Sequence, residues 1–197
     1  MLLAPDEPAP VLEHNPAGTS PFFLTCDHYG KIRPRTLGDL GVSASEWQRH
    51  IACDIGIGGV TAALSDALSA HMIAQRYSRL VIDCNRPPGV PSSIPILSEA
   101  THIPGNEEIS DAARQARIKE IFEPYHARIA AILDARAGAK RPTILVAMHS
   151  FTPVYTGVAR PWHIGTLYNR DARLAEVLLR LLRAEGCLLY TSPSPRD

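Results

Sequence analysis

The chain has 197 residues, of which 45% are apolar and 20% charged, a composition that is ordinary for a globular protein. Its 20 basic and 20 acidic side chains balance, which argues against the basic surface that nucleic-acid binding or attachment to an anionic membrane requires. We expect a single main hydrophobic core at this length.

The first residues carry neither the basic nor the apolar region of a secretory signal, and no apolar run reaches the length of a membrane span. We therefore predict a cytoplasmic protein. The four cysteines have no CxxC spacing, so they indicate neither a zinc knuckle nor a thioredoxin-type redox pair. We expect them to be reduced thiols.

In chain order, residues 1–20 contain four prolines and few large apolar side chains, which predicts an irregular lead-in. The apolar run 21–26 indicates a strand that ends just before Asp27 and His28. Apolar side chains at intervals of four then predict a helix over residues 45–54. The following segment, 57–73, is rich in small residues and suited to close packing.

The middle of the chain predicts a third strand over residues 79–84, followed by a long proline-rich loop over 87–106. Residues 111–137 have the apolar spacing of a helix, which Pro124 should kink or divide.

The next apolar run, 143–149, is bounded by prolines and reads as a buried strand that ends in His149. A fourth strand is predicted over 162–168 and an amphipathic helix over 171–185. Because strands alternate with helices, the chain should form an α/β layer fold with a mostly parallel sheet.

Histidines follow two of these strands, at His28 and His149, where the carboxyl ends of parallel strands would bring them to one edge of the sheet. His50 and Asp54 are spaced i to i+4 and would share one helix face. Imidazole and carboxylate groups that converge in this way are what a zinc ion requires. The alternative is structural: hydrogen-bonded histidines at the strand ends and a local salt bridge on an exposed helix face.

Asn85 and Arg86 come just after the strand predicted over 79–84. A guanidinium in that position can bind a carboxylate through two parallel hydrogen bonds. The alternative is an internal ion pair between Arg86 and a neighbour such as Asp83.

Five short motifs in this order resemble those of the N-formylglutamate amidohydrolase family. They lie at residues 26–30, 50–56, 78–87, 124–126 and 149–153. The resemblance covers about residues 20–186 and implies the fold of zinc carboxypeptidases and aspartoacylases. That fold is a phosphorylase/hydrolase-like three-layer α/β sandwich with a mostly parallel or mixed central sheet and its zinc at the carboxyl edge.

The resemblance also implies roles for individual residues. His28 and His149 would be zinc ligands, with Asp54 as the third and His50 as its rival or as a partner behind the ligands. Asn85 and Arg86, with Arg160 as a helper, would hold a carboxylate of a small-molecule substrate.

The implied reaction is hydrolysis of a C–N amide bond, with N-formyl-L-glutamate giving formate and glutamate. Members of the family usually continue with more strand and helix, including a late glutamate suited to the role of general base. Here residues 187–197 resemble a non-native tail, so we expect a C-terminally incomplete domain in which the general base is missing and activity is weak. A second interpretation is a non-catalytic α/β domain that binds a small carboxylate through Arg86.

Overall fold

A mixed four-stranded sheet organises the first of the two units into which the chain divides, Met1–Phe151. The computed structural model describes residues 1–193 and side chains as far as residue 191. The strands of the sheet are β1 (Val11–His14), β2 (Phe22–Cys26), β3 (His71–Gln75) and β6 (Ile144–Ala147). Their order across the sheet is β1-β3-β2-β6. β3, β2 and β6 run parallel, while β1 pairs antiparallel with β3.

The central strands β2 and β3 are buried on both faces, and their side chains pack alternately into two separate apolar clusters. Phe23 and Ile73 point into the larger cluster, together with apolar side chains of the helical region 118–138. Leu24 and Met72 point into the smaller one, which includes Ile57 at the start of helix α1 (Ile57–Leu68). Helices on both faces of a central sheet give the predicted three-layer α/β sandwich.

The long helix predicted over residues 111–137 is divided, as expected. It consists of α2 (Asp111–Arg117), a π-helical turn (Ile118–Phe122) and α3 (Glu123–Gly138), and Pro124 stands directly after the π-helical turn. The proline-rich loop carries only the short hairpin of β4 (Leu97–Ser98) and β5 (Thr101–His102) and two 3₁₀ turns.

The second unit begins at Thr152. It holds a short hairpin of β7 (Val154–Tyr155) and β8 (Val158–Ala159), then β9 (Ile164–Tyr168), α4 (Arg173–Ala184) and β10 (Leu189–Pro193). β9 and β10 pair in parallel, and Ala175 and Leu179 of α4 are buried. The strand predicted over 162–168 and the helix predicted over 171–185 are confirmed.

One strand prediction was wrong, and another predicted strand is less buried than expected. The third strand of the sheet is β3, whereas residues 79–84 form a buried turn that begins when the N–H groups of Val81 and Ile82 donate to the carbonyl of Ser78. Their apolar side chains are buried by the surrounding core rather than by strand pairing. β6 is a strand, as predicted, but it is not buried: within residues 1–151 it pairs only with β2, and Leu145 is 49% exposed.

Three other segments also differ from the predicted secondary structure. Residues 11–14, placed in an irregular lead-in, form the edge strand β1 because Val11 to His14 pair with β3. The helix expected over 45–54 is reduced to one 3₁₀ turn, Glu46–Gln48, because the backbone of Arg49 is extended and ends the turn. Trp47 and Ile51 are buried, as their spacing suggested, but no continuous helix joins them. In the predicted tail, residues 189–193 form β10, and residues 194–197 lie outside the described part of the chain.

Among residues 1–193, no helix combines the length and apolar character needed to cross a membrane.

Candidate metal centre

Parallel neighbours β2 and β6 bring two histidines to the same edge of the sheet. β2 ends at Cys26 and β6 at Ala147, so Asp27-His28 and His149 leave the sheet side by side. The His28 and His149 rings have centroids 4.9 Å apart. The strand predicted before His149, β6, therefore positions this side chain, even though β6 is an edge strand of the sheet.

Asp54 reaches the two histidines from the turn that precedes α1. Its backbone N–H donates to the carbonyl of His28 at 2.9 Å, which fixes the turn against the end of β2. Its Oδ2 lies 3.0 Å from His149 Nδ1 and accepts from the N–H of Ser150 at 3.2 Å. Its Oδ1 lies 3.5 Å from His28 Nδ1.

These three side chains have the composition and spacing of a metal site. One ligand atom from each of His28, Asp54 and His149 can be chosen so that all three lie within 4.8 Å of one another. His28 Nδ1 is buried and makes no hydrogen bond among the described residues. A buried polar atom without a partner is costly unless something binds to it. Two imidazoles and one carboxylate suit zinc, so the residues present fit this ion.

Carboxylates also face the outer nitrogens of both rings. Because the carboxylate of Asp83 can only accept, His28 Nε2 donates to Asp83 Oδ1 at 2.8 Å, and Nδ1 is the ring nitrogen that faces Asp54. His149 Nε2 lies 3.7 Å from Asp27 Oδ2, whose other oxygen accepts from the hydroxyl of Tyr125 at 2.5 Å. Ligating histidines are commonly oriented in this way, by a carboxylate on the nitrogen that does not bind the metal.

Arg79 offsets the negative charge of the buried acids. Its guanidinium lies 3.4 Å from Asp54 Oδ1 and 3.2 Å from Asp83 Oδ2. Burial raises the pKa of both carboxyl groups, but the hydrogen bonds from His149 to Asp54 and from His28 to Asp83, together with the nearby charge of the His28 ring, hold each pKa below its ordinary value. Both acids are therefore ionised, which is the state that a metal ligand and its supporting group require.

The same carboxylates act on His28. Burial lowers the pKa of its imidazole, but the carboxylate of Asp54, 3.5 Å from Nδ1, and the hydrogen bond to Asp83 more than offset this, so the pKa lies above its ordinary value.

His50 is a neighbour of Asp54, although not through a helix. Its Nε2 lies 3.3 Å from Asp54 Oδ1, and burial lowers the pKa of its ring. The i to i+4 spacing thus predicted the correct contact for the wrong local structure, since residues 49–56 form turns. Of the two residues considered for the third ligand, Asp54 belongs to the three-residue cluster and His50 lies outside it.

The residues predicted to hold a substrate carboxylate have different settings. Asn85 is exposed and Arg86 half-buried, and Arg86 Nη1 donates to the carbonyl of Asn85 at 2.9 Å. Asp83, considered above as a partner for Arg86, instead pairs with His28 and Arg79. Arg160 belongs to the second unit, where its guanidinium lies 4.4 Å from the ring centre of Tyr155.

Sequence reasoning missed Arg79, Asp27 and Tyr125 as parts of this arrangement. Arg79 stands four residues before Asp83, and in this buried turn the two side chains meet. Tyr125 lies 98 residues from Asp27 along the chain, so no local pattern could have joined them. Two glutamates in or next to the proline-rich loop pair with other side chains: Glu99 with Arg49 at 2.6 Å and Glu107 with His102 at 2.8 Å.

Comparisons with known proteins identify the family and the fold. A protein-family model described as N-formylglutamate amidohydrolase matches residues 20–190. The crystal structure of gene product Atu2144 from Agrobacterium tumefaciens is 37% identical, with a TM-score of 0.94, and the match covers 97% of this chain and 76% of that one.

A second solved structure, N-formylglutamate amidohydrolase from Ralstonia eutropha JMP134, is 20% identical with a TM-score of 0.61, and supports the fold. That match covers 93% of this chain and 76% of the other. No curated protein sequence matches the chain. Because the family model spans most of the sequence, the chain belongs to the N-formylglutamate amidohydrolase family.

Proposed function

We propose that the chain is a zinc-dependent amidohydrolase that cleaves the C–N amide bond of an N-acylated acidic amino acid, with N-formyl-L-glutamate as the type substrate. The observation that carries the proposal is the cluster of His28, Asp54 and His149, with the buried and unpartnered Nδ1 of His28 turned toward Asp54. Membership of the family supports the reaction class.

The proposed ligands are His28 Nδ1, a carboxylate oxygen of Asp54 and a ring nitrogen of His149. A bound zinc ion would lower the pKa of water toward neutrality and polarise the amide carbonyl. Asp83 keeps the proton of His28 on Nε2, so that Nδ1 can act as a ligand without reorientation. Asp27 faces the second ring in a similar position, with its orientation set by Tyr125.

The proposed hydrolysis adds water across one bond. A C–O bond forms at the acyl carbon, the C–N bond breaks, and the leaving amine takes a proton, which gives formate and glutamate from N-formyl-L-glutamate. Arg86 is proposed to hold a carboxylate of the substrate, with Asn85 beside it and Arg160 as a helper. The exposure of these two side chains supports the assignment: Asn85 is exposed, Arg86 is half-buried, and neither forms an ion pair with an internal acid among the described residues.

The test is release of formate from N-formyl-L-glutamate by the purified chain, first stripped of metal with a chelator and then supplied with zinc. We expect turnover only after zinc is restored, and loss of turnover in His149→Ala. His102→Ala is the matched control, because His102 is an exposed histidine whose partner is Glu107. A metal-free chain that binds glutamate and hydrolyses nothing would instead support the non-catalytic carboxylate-binding domain.

A further inference from the structure

A cleft of about 570 Å³ opens beside Asp54, on the side where α1 begins. Its polar lining comes from Tyr29, Lys31, Gln48 and Cys53, and its far wall is the glycine-rich start of the helix. The volume is within the range of sites that hold small molecules, roughly 300–1,000 Å³. All of these residues belong to the first unit, Met1–Phe151.

The charge in this cleft is positive. Lys31 Nζ donates to Gln48 Oε1 at 2.7 Å, so a neutral amide positions the ammonium group without cancelling its charge. Asp54 is the acid in the lining, but its side chain is only 2% exposed and its oxygens face His28 and His149. The negative charge of Asp54 is therefore largely engaged by these histidines.

The start of α1 adds to this potential. The helix has no acidic residue in its first turn and no side-chain hydrogen bond at its cap, Gly56. A side-chain Cβ placed at Gly56 or Gly59 would meet no atom within 4 Å, so the backbone is open to a ligand there. The N–H of Ile57 donates to the carbonyl of Asp54, whereas the next N–H groups of the first turn, at Gly58 and Gly59, have no partner within the helix and favour an anion.

We infer that this cleft receives the side-chain carboxylate of the substrate, and that Lys31 is the residue that selects an acidic over an amide side chain. The inference rests on the proposed function, because the cleft adjoins the proposed ligand Asp54. A substrate such as N-formyl-L-glutamate has two carboxylates. Arg86 is proposed for the α-carboxylate, so Lys31 supplies the second cation that such a substrate needs.

The first experiment compares N-formyl-L-glutamate with N-formyl-L-glutamine. A charge-assisted hydrogen bond of this kind should make kcat/KM for the glutamate substrate fall about 10- to 100-fold in Lys31→Gln. The glutamine substrate should be nearly unaffected, and Lys31→Arg should restore part of the preference for glutamate. Lys119→Gln, a change of an exposed lysine on the π-helical turn, is the matched control. Equal losses for both substrates, or no loss, would overturn the assignment.

A second readout does not require catalysis. Cys53 is partly exposed in the cleft, whereas Cys26 and Cys84 are buried and burial raises the pKa of both thiols. In a Cys187→Ser background, L-glutamate should slow the alkylation of Cys53 by iodoacetamide, and Lys31→Gln should abolish this protection. If glutamate gives no protection in the chain with Lys31, the cleft is not its binding site.

The two readouts separate the two proposals. Protection of Cys53 by glutamate in a chain that hydrolyses no N-formyl amino acid would support the subsite and contradict the proposed function. Hydrolysis with an unchanged preference in Lys31→Gln would support the function and contradict the subsite.

Discussion

His28 Nε2 donates a hydrogen bond to Asp83 Oδ1 at 2.8 Å, and the two side chains are 4% and 5% exposed. The pair comes from two segments 55 residues apart, the end of β2 and a buried turn. Its consequence is chemical: because Asp83 engages Nε2, the unpartnered Nδ1 is the nitrogen left to bind a metal ion, with loss of any proton it carries, in the space that it shares with Asp54 and His149.

Asp83→Asn tests this orienting role directly. The amide can still occupy the position, but it does not fix the proton on Nε2 by charge, so we expect zinc affinity to fall about 10- to 100-fold. Competition with a fluorescent chelator measures the change. Asp66→Asn is the control, since Asp66 pairs with His14 at the exposed surface. Unchanged zinc affinity in Asp83→Asn would show that Asp83 does not orient His28 for metal binding.

Arg117 tests how the turn that carries Asp83 is held in place. This buried side chain donates from Nη1 to the carbonyl of Val81 at 2.9 Å and to Asn106 Oδ1 at 2.6 Å, and burial lowers its pKa to about 10. Arg117→Met would leave these acceptors buried without a donor, so the free energy of unfolding should fall by about 2–4 kcal/mol.

Urea unfolding checks the Arg117 prediction. The matched control is Lys119→Met, at an exposed position two residues along, which should change stability by less than about 0.5 kcal/mol. Equal stability of the two variants would mean that the contacts of Arg117 contribute little.

His71 predicts a pH dependence of stability at the opposite end of β3. Burial lowers the pKa of its imidazole, and the bond to Glu13 at 2.9 Å offsets only part of this effect. The folded chain therefore binds a proton less readily than the unfolded chain. The contribution to stability is complete above the unfolded pKa of about 6.5 and is lost progressively as the pH falls toward the lower folded value.

The measurement compares His71→Gln with the unsubstituted chain by denaturant unfolding between about pH 7.5 and 5.5. The unsubstituted chain should lose more stability over this interval than His71→Gln does. His102→Gln, at an exposed histidine, should follow the unsubstituted chain. Parallel curves for all three proteins would show that His71 does not titrate differently on folding.

Much of the fold could be predicted from the sequence where local patterns and tertiary packing agree. The run ending at Cys26, the amphipathic helix α4 and the division near Pro124 are examples. The prediction failed at residues 79–84, because an apolar run is buried equally well as a turn inside a core and as a strand. The prediction also missed β3, because this fully buried strand begins and ends with polar residues, His71 and Gln75, and so does not form a continuous apolar run.

The site divides in the same way. Histidines at strand ends could be found because the strands run parallel and therefore end at one edge of the sheet. The groups behind them could not: Asp83 meets His28, and Tyr125 meets Asp27, only after the turn and α3 have packed against the sheet. The spacing of His50 and Asp54 predicted a real contact, yet the contact depends on a turn fixed by the carbonyl of His28.

If His28, Asp54 and His149 hold a zinc ion, the chain should keep this ion after dialysis against zinc and then against buffer, and its metal content can be measured. The unsubstituted chain and the His102→Ala control should each retain about one zinc ion per chain. His149→Ala and His28→Ala should retain almost none while keeping their far-ultraviolet circular dichroism. A well-folded chain that retains no zinc, or a His149→Ala variant that retains as much as the control, would contradict the account.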